Sequence, residues 1–372
     1  MNTIKKSITI MALAIIAFSC GNKNTNKYVV NGQVQDVEDG TEIYLYDFYN
    51  YKTRDAKPID TAIVTNGVFT FTDTISTPMM AYASTGLRKG GLEFILEAGN
   101  ISINIDENTV TGTPLNERLT QYFNECNVTD YQKESAEIIK IYYSIDDENI
   151  KDSLSNRFEE IHEQYIVNSN EAADRLFNEN KSNILGRYAV SELLEAVPTV
   201  EQLLSVRDAE GSIVKDDERL NKEIERLQAA EATSDGKQYV DFECINFSTN
   251  ELGKLSDVIG GKLAIVDFWA SWCSPCRDEI KENLIRIYEK YADKGLVVVG
   301  VDVWDQIDKH AAMVEKLGIT YPQVIDTANI ASKIYGFNGI PEIMLVGKDG
   351  IIINRGIRGE EIENAVVNAL NK

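Results

Sequence analysis

The spacing of apolar and polar positions changes three times along the chain. Near the start, Ile8 to Phe18 is a nearly continuous apolar run behind Lys5 and Lys6. From Tyr28 onward, apolar residues come in short β-branched or aromatic runs bounded by turn formers: Tyr28–Val34, Thr41–Tyr46, Ile59–Thr65, Val68–Phe71, Phe94–Leu96 and Ile101–Ile105. Such runs predict strands. Asn66-Gly67 between two of them is a hairpin signal, because a two-residue turn needs positive φ at both positions. The expectation for residues 28–113 is a small antiparallel β-sandwich. From 114 to 235 the period becomes helical, with stripes Leu119, Tyr122, Phe123 and Cys126, then Leu154, Phe158, Ile161 and Tyr165, then Leu220, Ile224 and Leu227. Ser234-Asp235-Gly236 marks a boundary. Beyond it, the apolar strand Leu263–Trp269 and a helical pattern to about Tyr291 predict an α/β domain over 236–372. The whole is an α+β multidomain chain: β-sandwich, helical middle region, α/β domain.

The first apolar run is too short to span a bilayer, which takes roughly 20 residues. With its basic start and the small residues Ala17 and Ser19 before Cys20, it predicts an export signal over 1–19. Cys20 then resembles the acylated cysteine of a bacterial lipobox, with 20–27 as a tether. Plain secretion is the alternative. Either places the mature chain in the cell envelope, periplasm-facing, where disulfides are permitted.

Composition adds exclusions. The 372 residues carry 37 basic and 59 acidic side chains, a net charge of −22. That excess argues against nucleic acid, whose phosphates need clustered Lys and Arg. Residues 114–235 hold 13 basic and 27 acidic side chains, so most of the net negative charge lies in the helical middle. It reads as a solvated helix face, or else as a docking surface for a basic partner. Five cysteines and two histidines leave no ligand set for zinc, since Cys126, Cys244, His162 and His310 are scattered. Cys126 and Cys244 each complete an apolar pattern and fit a core, or alternatively pair as a disulfide.

The chemistry concentrates in Cys273-Ser274-Pro275-Cys276, between the strand and the helix. Two intervening residues let the sulfurs meet across the first helical turn. The first sulfur then sits at the helix N-terminus, where unpaired N–H groups and the dipole favour thiolate, the nucleophile. Pro275 suits the first turn because its missing N–H costs nothing there. A purely structural disulfide would leave this strand–turn–helix setting, with two flanking tryptophans, unexplained.

Asp267-Phe268-Trp269-Ala270-Ser271-Trp272-Cys273-Ser274-Pro275-Cys276-Arg277 resembles the active site of the thioredoxin superfamily, and Tyr335-Gly336-Phe337-Asn338-Gly339-Ile340-Pro341 resembles its cis-proline segment. Val240-Asp241-Phe242 and Gly300-Val301-Asp302-Val303 point to the envelope lipoprotein branch. The resemblance covers about 238–372. It implies Cys273 as the solvent-facing attacking thiolate and Cys276 as the buried resolving thiol. It implies Asp267 as a buried acid exchanging protons with Cys276, or as a partly solvated cap, and Pro341 as cis. Trp272, Ser274, Pro275 and the backbone of Ile340 are the expected substrate contacts. No cofactor is implied beyond the redox-active disulfide Cys273–Cys276. Three departures stand out. Lys281 replaces a kinking proline, which implies a straighter helix. No lysine faces Asp267 from Val297–Val303. Glu342 follows Pro341, either near the sulfurs or pointing to solvent. Upstream, Ile59-Asp60-Thr61-Ala62, Asn66-Gly67-Val68-Phe69-Thr70-Phe71, Leu96-Glu97-Ala98-Gly99 and Val110–Asn116 resemble a β-domain of unknown function found ahead of thioredoxin domains in Gram-negative envelope lipoproteins.

Together these imply a protein thiol–disulfide oxidoreductase. It would reduce disulfides of periplasmic proteins, apocytochrome c among the candidates, and be re-reduced by a membrane thiol carrier. The alternative is a binding or scaffold lipoprotein whose N-terminal regions carry the main role. The thiol-peroxidase pattern, a Pro–Thr–Cys constellation without Cys-x-x-Cys, is missing.

Overall fold

The computed structural model describes residues 26–371, apart from 52, 54 and 87–89. The export signal over 1–19, the Cys20 anchor and most of the tether lie outside the described residues. The chain divides into two compact units, residues 1–168 and 169–372. Among the described residues, no helix is long and apolar enough to cross a membrane.

The first unit holds β1 (Lys27–Gln33), β2 (Glu42–Asp47), β3 (Asp60–Ile63), β4 (Val68–Thr74), β5 (Met79–Ser84), β6 (Gly91–Leu96), β7 (Gly99–Asn104) and β8 (Thr109–Thr111). They form two four-stranded sheets, β4-β1-β7-β8 and β3-β2-β5-β6. All pairs are antiparallel except β1 with β7, which run parallel, so the expected antiparallel architecture holds with one exception. Alternation decides which face is buried: β4 turns Phe69 and Phe71 inward and Val68 and Thr70 outward. At the hairpin, Asn66 (φ 52°) and Gly67 (φ 73°) both take positive φ, and Thr65 and Val68 exchange two backbone hydrogen bonds. Two strands escaped the sequence pattern. β5 is mostly Met and Ala, which carry little strand preference, with Tyr82 its one strongly strand-favouring residue, and β8 has three residues.

The helix Pro114–Cys126 buries Leu119, Tyr122, Phe123 and Cys126, the predicted stripe. Its buried Asn116 hydrogen-bonds both the N–H and the carbonyl of Ile95, each at 2.8 Å, and so anchors the helix start to β6. The stripe from Leu154 to Tyr165 lies on the helix Glu148–Glu179 but is only half-buried.

The second unit contains β9 (Glu243–Asn246), β10 (Leu252–Lys254), β11 (Leu263–Trp269), β12 (Leu296–Asp302), β13 (Gln323–Ile325), β14 (Glu342–Val346) and β15 (Ile352–Arg355). They make one sheet in the order β10-β9-β13-β12-β11-β14-β15. β11 runs parallel to β12 and antiparallel to β14. One face carries a core of Leu263, Ile265, Trp269, Cys276, Ile280, Ile343 and Ile362. The other buries Ala264, Val266, Phe268, Val299, Val301 and Tyr335. Helices therefore cover both faces, and β11 is buried at all seven positions.

The helix Glu218–Ala232 packs on this sheet's periphery. Gly336 lets it approach: a Cβ there would stand 2.1 Å from the Arg226 carbonyl oxygen and 2.5 Å from the Ala230 nitrogen. Both obstacles are backbone, so neither can swing aside. Gly336→Ala is expected to cost more than about 2 kcal/mol in urea unfolding. Gly318→Ala, at a similar φ of +67° but in open space, is expected to cost about 1 kcal/mol. Equal costs would show that the helix does not press on Gly336.

Candidate active site

The loop after β11 is held from two sides. The Ser271 N–H donates to Asp305 Oδ2 at 2.5 Å, and the Arg277 guanidinium donates to the Ser271 carbonyl at 2.6 Å. Both Asp305 oxygens are engaged, since Oδ1 accepts the Gln306 N–H at 2.7 Å. Trp272 is 58% exposed, and its indole N–H donates to the Trp304 carbonyl at 3.1 Å. Trp269 is fully buried. Its N–H donates to Gln323 Oε1 at 3.0 Å, and its ring packs on His310, itself paired with Asp302 at 3.2 Å.

This fixed loop delivers Cys273 as the N-cap of the following helix, with Pro275 in the first turn. Cys273 and Cys276 form a disulfide, and Cys273 Sγ also accepts the Cys276 N–H at 3.2 Å. Ser274 and Pro275 are exposed beside it. Cys273 itself is 3% exposed and Cys276 0%, so the expected solvent-facing sulfur is covered in this oxidised state. Trp272, Ser274 and Pro275, rather than Cys273, are the exposed residues of the motif. The helix that carries Lys281 is not uniformly α-helical. Ile280–Leu284 forms a π-helical turn between two α-helical segments, so the irregularity that proline would have supplied is present without it.

Beneath the disulfide lies Asp267. Strand alternation puts it on the same face as Ile265 and Trp269, which is the face that carries Cys276. It is 1% exposed, and neither carboxylate oxygen has a hydrogen-bond partner among the described residues. A solvated capping role is therefore excluded. Burial pushes its pKa up to about 8, the nearby Arg358 charge opposes that, and Glu279 adds to it. The position opposite Asp267 on β12 is Gly300. The Gln323 side chain fills the space above that glycine, where a Cβ would meet its Oε1 at 2.3 Å. Tyr321 has a buried hydroxyl without a hydrogen-bond partner among the described residues, and burial beside Asp267 holds its pKa well above the ordinary value.

The third component is the loop before β14. The Ile340–Pro341 peptide bond is cis, and the Ile340 carbonyl oxygen lies 3.7 Å from Cys273 Sγ. Glu342 neither faces the sulfurs nor points to solvent. It pairs with Arg355 at 2.6 Å, and Arg355 also donates to Thr233 Oγ1 at 2.8 Å. A groove of about 740 Å³ runs along Ile340 and Pro341 and is also lined by Arg226, Ala230, Arg355 and Arg358.

Comparison with known proteins bears on this constellation directly. Residues 236–355 match the AhpC/TSA family, and residues 28–119 match a domain of unknown function, DUF4369. The chain is 29% identical over 143 residues to the thiol-disulfide oxidoreductase ResA of Bacillus thuringiensis subsp. konkukian, covering 38% of this chain and 82% of that protein. It is 32% identical over 117 residues to the thiol:disulfide interchange protein HelX of Rhodobacter capsulatus, covering 31% of this chain and 63% of that protein. A solved thioredoxin domain of a thiol-disulfide oxidoreductase from Bacteroides vulgatus aligns at 27% identity and a TM-score of 0.35, covering 37% of this chain and 99% of that one. Residues 236–355 form an AhpC/TSA-family domain.

With a disulfide at its helix N-terminus and relatives of this kind, the AhpC/TSA domain is a thiol–disulfide oxidoreductase. Its structure brings together Cys273, Cys276, Asp267, Ile340 and Pro341, with Trp272, Ser274 and Pro275 at the rim. Sequence reasoning missed Glu279, Gln323, Tyr321 and Arg358. Glu279 was legible in principle, since it follows Cys276 by three residues on one helix face. Cys126 and Cys244 are buried thiols outside any disulfide, and burial pushes Cys244 up to about 11, far from thiolate at neutral pH.

Asp267 makes a pH prediction. Folded, its carboxyl keeps the proton up to about pH 8, whereas the unperturbed group releases it near 3.8. Folding therefore takes up a proton between those values, and the contribution to stability falls as pH rises through that window. Asp267→Asn cannot titrate. Its stability relative to wild type is expected to improve by roughly 1 kcal/mol per pH unit between pH 5 and 8, read by urea unfolding of the oxidised protein. A constant difference across that range would mean that Asp267 is already ionised.

Proposed function

We propose that the protein is an envelope thiol–disulfide oxidoreductase working as a reductant of disulfide-containing periplasmic proteins. The observation that carries the reading is the Cys273–Cys276 disulfide, set at a helix N-terminus, above buried Asp267 and against the loop Ile340–Pro341. In the reduced protein, the Cys273 thiolate attacks one sulfur of a substrate disulfide. A mixed disulfide forms, and the other substrate sulfur leaves as a thiolate and is protonated. Cys276 gives its proton to the ionised form of Asp267 and attacks Cys273 Sγ. The second substrate sulfur is released, and the Cys273–Cys276 disulfide closes. Two electrons pass from protein to substrate, and a membrane thiol carrier restores the dithiol.

Each residue has a physical task in this cycle. The helix N-terminus stabilises the Cys273 anion. Asp267, pushed up to about 8 by burial, exchanges a proton near physiological pH, and its ionised fraction holds a thiol proton that an ordinary carboxylate would not. The backbone of Ile340 offers its hydrogen-bonding groups to an extended substrate chain as an added strand. Trp272, Ser274 and Pro275 supply the exposed contact surface around it. The leader pattern and Cys20 support a lipid-anchored location facing the periplasm, and the redox-active disulfide is the only prosthetic group this chemistry needs.

The test uses two cysteine variants of the full chain. Cys273→Ser is expected to abolish insulin-disulfide reduction. Cys276→Ser is expected to accumulate mixed disulfides on Cys273 when isolated from cells. Reduction that persists in Cys273→Ser would end the redox reading. A Cys276→Ser trap that stays empty while wild type is active would argue for a non-protein disulfide substrate.

A further inference from the structure

The buried acid lacks the cation expected from its neighbouring strand. Opposite Asp267, β12 offers Gly300, and the space above it belongs to the Gln323 amide. Positive charge comes instead from Arg358, in the segment between β15 and the helix Glu360–Leu370. The Arg358 guanidinium donates through Nη2 to the carbonyl of Pro341 and through Nη1 to the Ile357 carbonyl at 2.8 Å. It makes no ion pair among the described residues, so its charge is not cancelled by a carboxylate partner. The next residue, Gly359, donates its N–H to both Glu279 oxygens, at 3.1 and 3.2 Å. One short segment thus ties the active-site helix to the loop that faces the disulfide, and it carries the charge acting on Asp267.

We propose that Arg358 is a positioning residue for the dithiol reaction: it clamps the carbonyl of Pro341, fixing the strand-pairing backbone of Ile340, and it supplies the positive charge that favours the anion of Asp267. The inference rests on the reductase reading given above and adds to it a residue from outside the Cys-x-x-Cys and cis-proline motifs. Among the described residues, the groups coupled to Asp267 are Glu279 from the active-site helix, Tyr321 from the segment before β13 and Arg358 from beyond β15. Glu279 opposes ionisation of Asp267, and Tyr321, held neutral by burial, adds no charge. Arg358 is the one member of the set that favours the charged form. A proton taken from Cys276 is therefore held on Asp267 less tightly than burial alone would dictate, and it can be released again when the dithiol is restored.

The two tasks separate by substitution in the full chain. Arg358→Lys keeps the charge but loses the planar fork that reaches two carbonyls. Arg358→Gln loses both the charge and the fork. With insulin as substrate, KM is expected to rise several-fold in both variants, because the Pro341 clamp is weakened in both. The pH inflection of Asp267, followed by carboxyl-carbon NMR of the oxidised protein, is expected to move up by roughly one unit in Arg358→Gln and to stay at the wild-type value in Arg358→Lys. An unmoved inflection in Arg358→Gln would refute the electrostatic task, and an unchanged KM in both variants would refute the clamp. Equal losses of kcat in both, with neither KM nor inflection altered, would reduce Arg358 to a structural residue. The NMR readout does not depend on turnover. Inactivity of the wild type would therefore count against the reductase reading alone and leave the charge assignment standing or falling by the titration.

Discussion

β11 is buried along its whole length, and the active site depends on that burial. A strand with helices on both faces has no water with which to solvate a carboxyl group, so Asp267 must either find a partner or keep its proton. It finds no hydrogen-bond partner among the described residues, and burial pushes its pKa up to about 8. The same burial stacks the core containing Trp269, Cys276 and Ile343 on one face and brings the disulfide above the acid. A carboxyl made basic enough to take a thiol proton is thus a product of the fold's layering.

The loop positions follow from the same frame. β11 and β14 are neighbours, so the end of one and the start of the other place Cys273 and Ile340 side by side. Asp305 and Arg277 brace Ser271, and Glu342 is neutralised by Arg355, which removes a negative charge from the approach to the sulfurs. The groove beside Pro341 is completed by Arg226 and Ala230 of the helix Glu218–Ala232. Part of the acidic helical stretch therefore borders the chemistry. In the sequence it had seemed separate from it.

The core of the site was legible because its chemistry is local. Cys273, Pro275 and Cys276 are set by one helical turn, and Asp267 sits on a strand whose apolar run announces its burial. Asn66-Gly67 was legible for the same reason, as a turn whose two residues carry their own conformational preference. What stayed hidden depends on contacts between distant segments. Nothing in Arg358-Gly359 advertises contact with Pro341 or Glu279, and Gln323 becomes a partner of Trp269 only once β13 and β12 are paired. Lys281 misled for a related reason. A missing proline implied a more regular helix, yet Ile280–Leu284 forms a π-helical turn without one. The parallel pairing of β1 with β7 is likewise a matter of topology, which strand patterns do not encode.

The central claim is that Cys273 and Cys276 form a reducing dithiol. Its most direct test is the equilibrium potential of that pair, measured against glutathione buffers at pH 7. The account predicts a value close to that of thioredoxin, about −270 mV, in keeping with the Ser274-Pro275 dipeptide between the cysteines. A value close to about −120 mV, the range of the periplasmic oxidant, would contradict it and make this protein a disulfide donor.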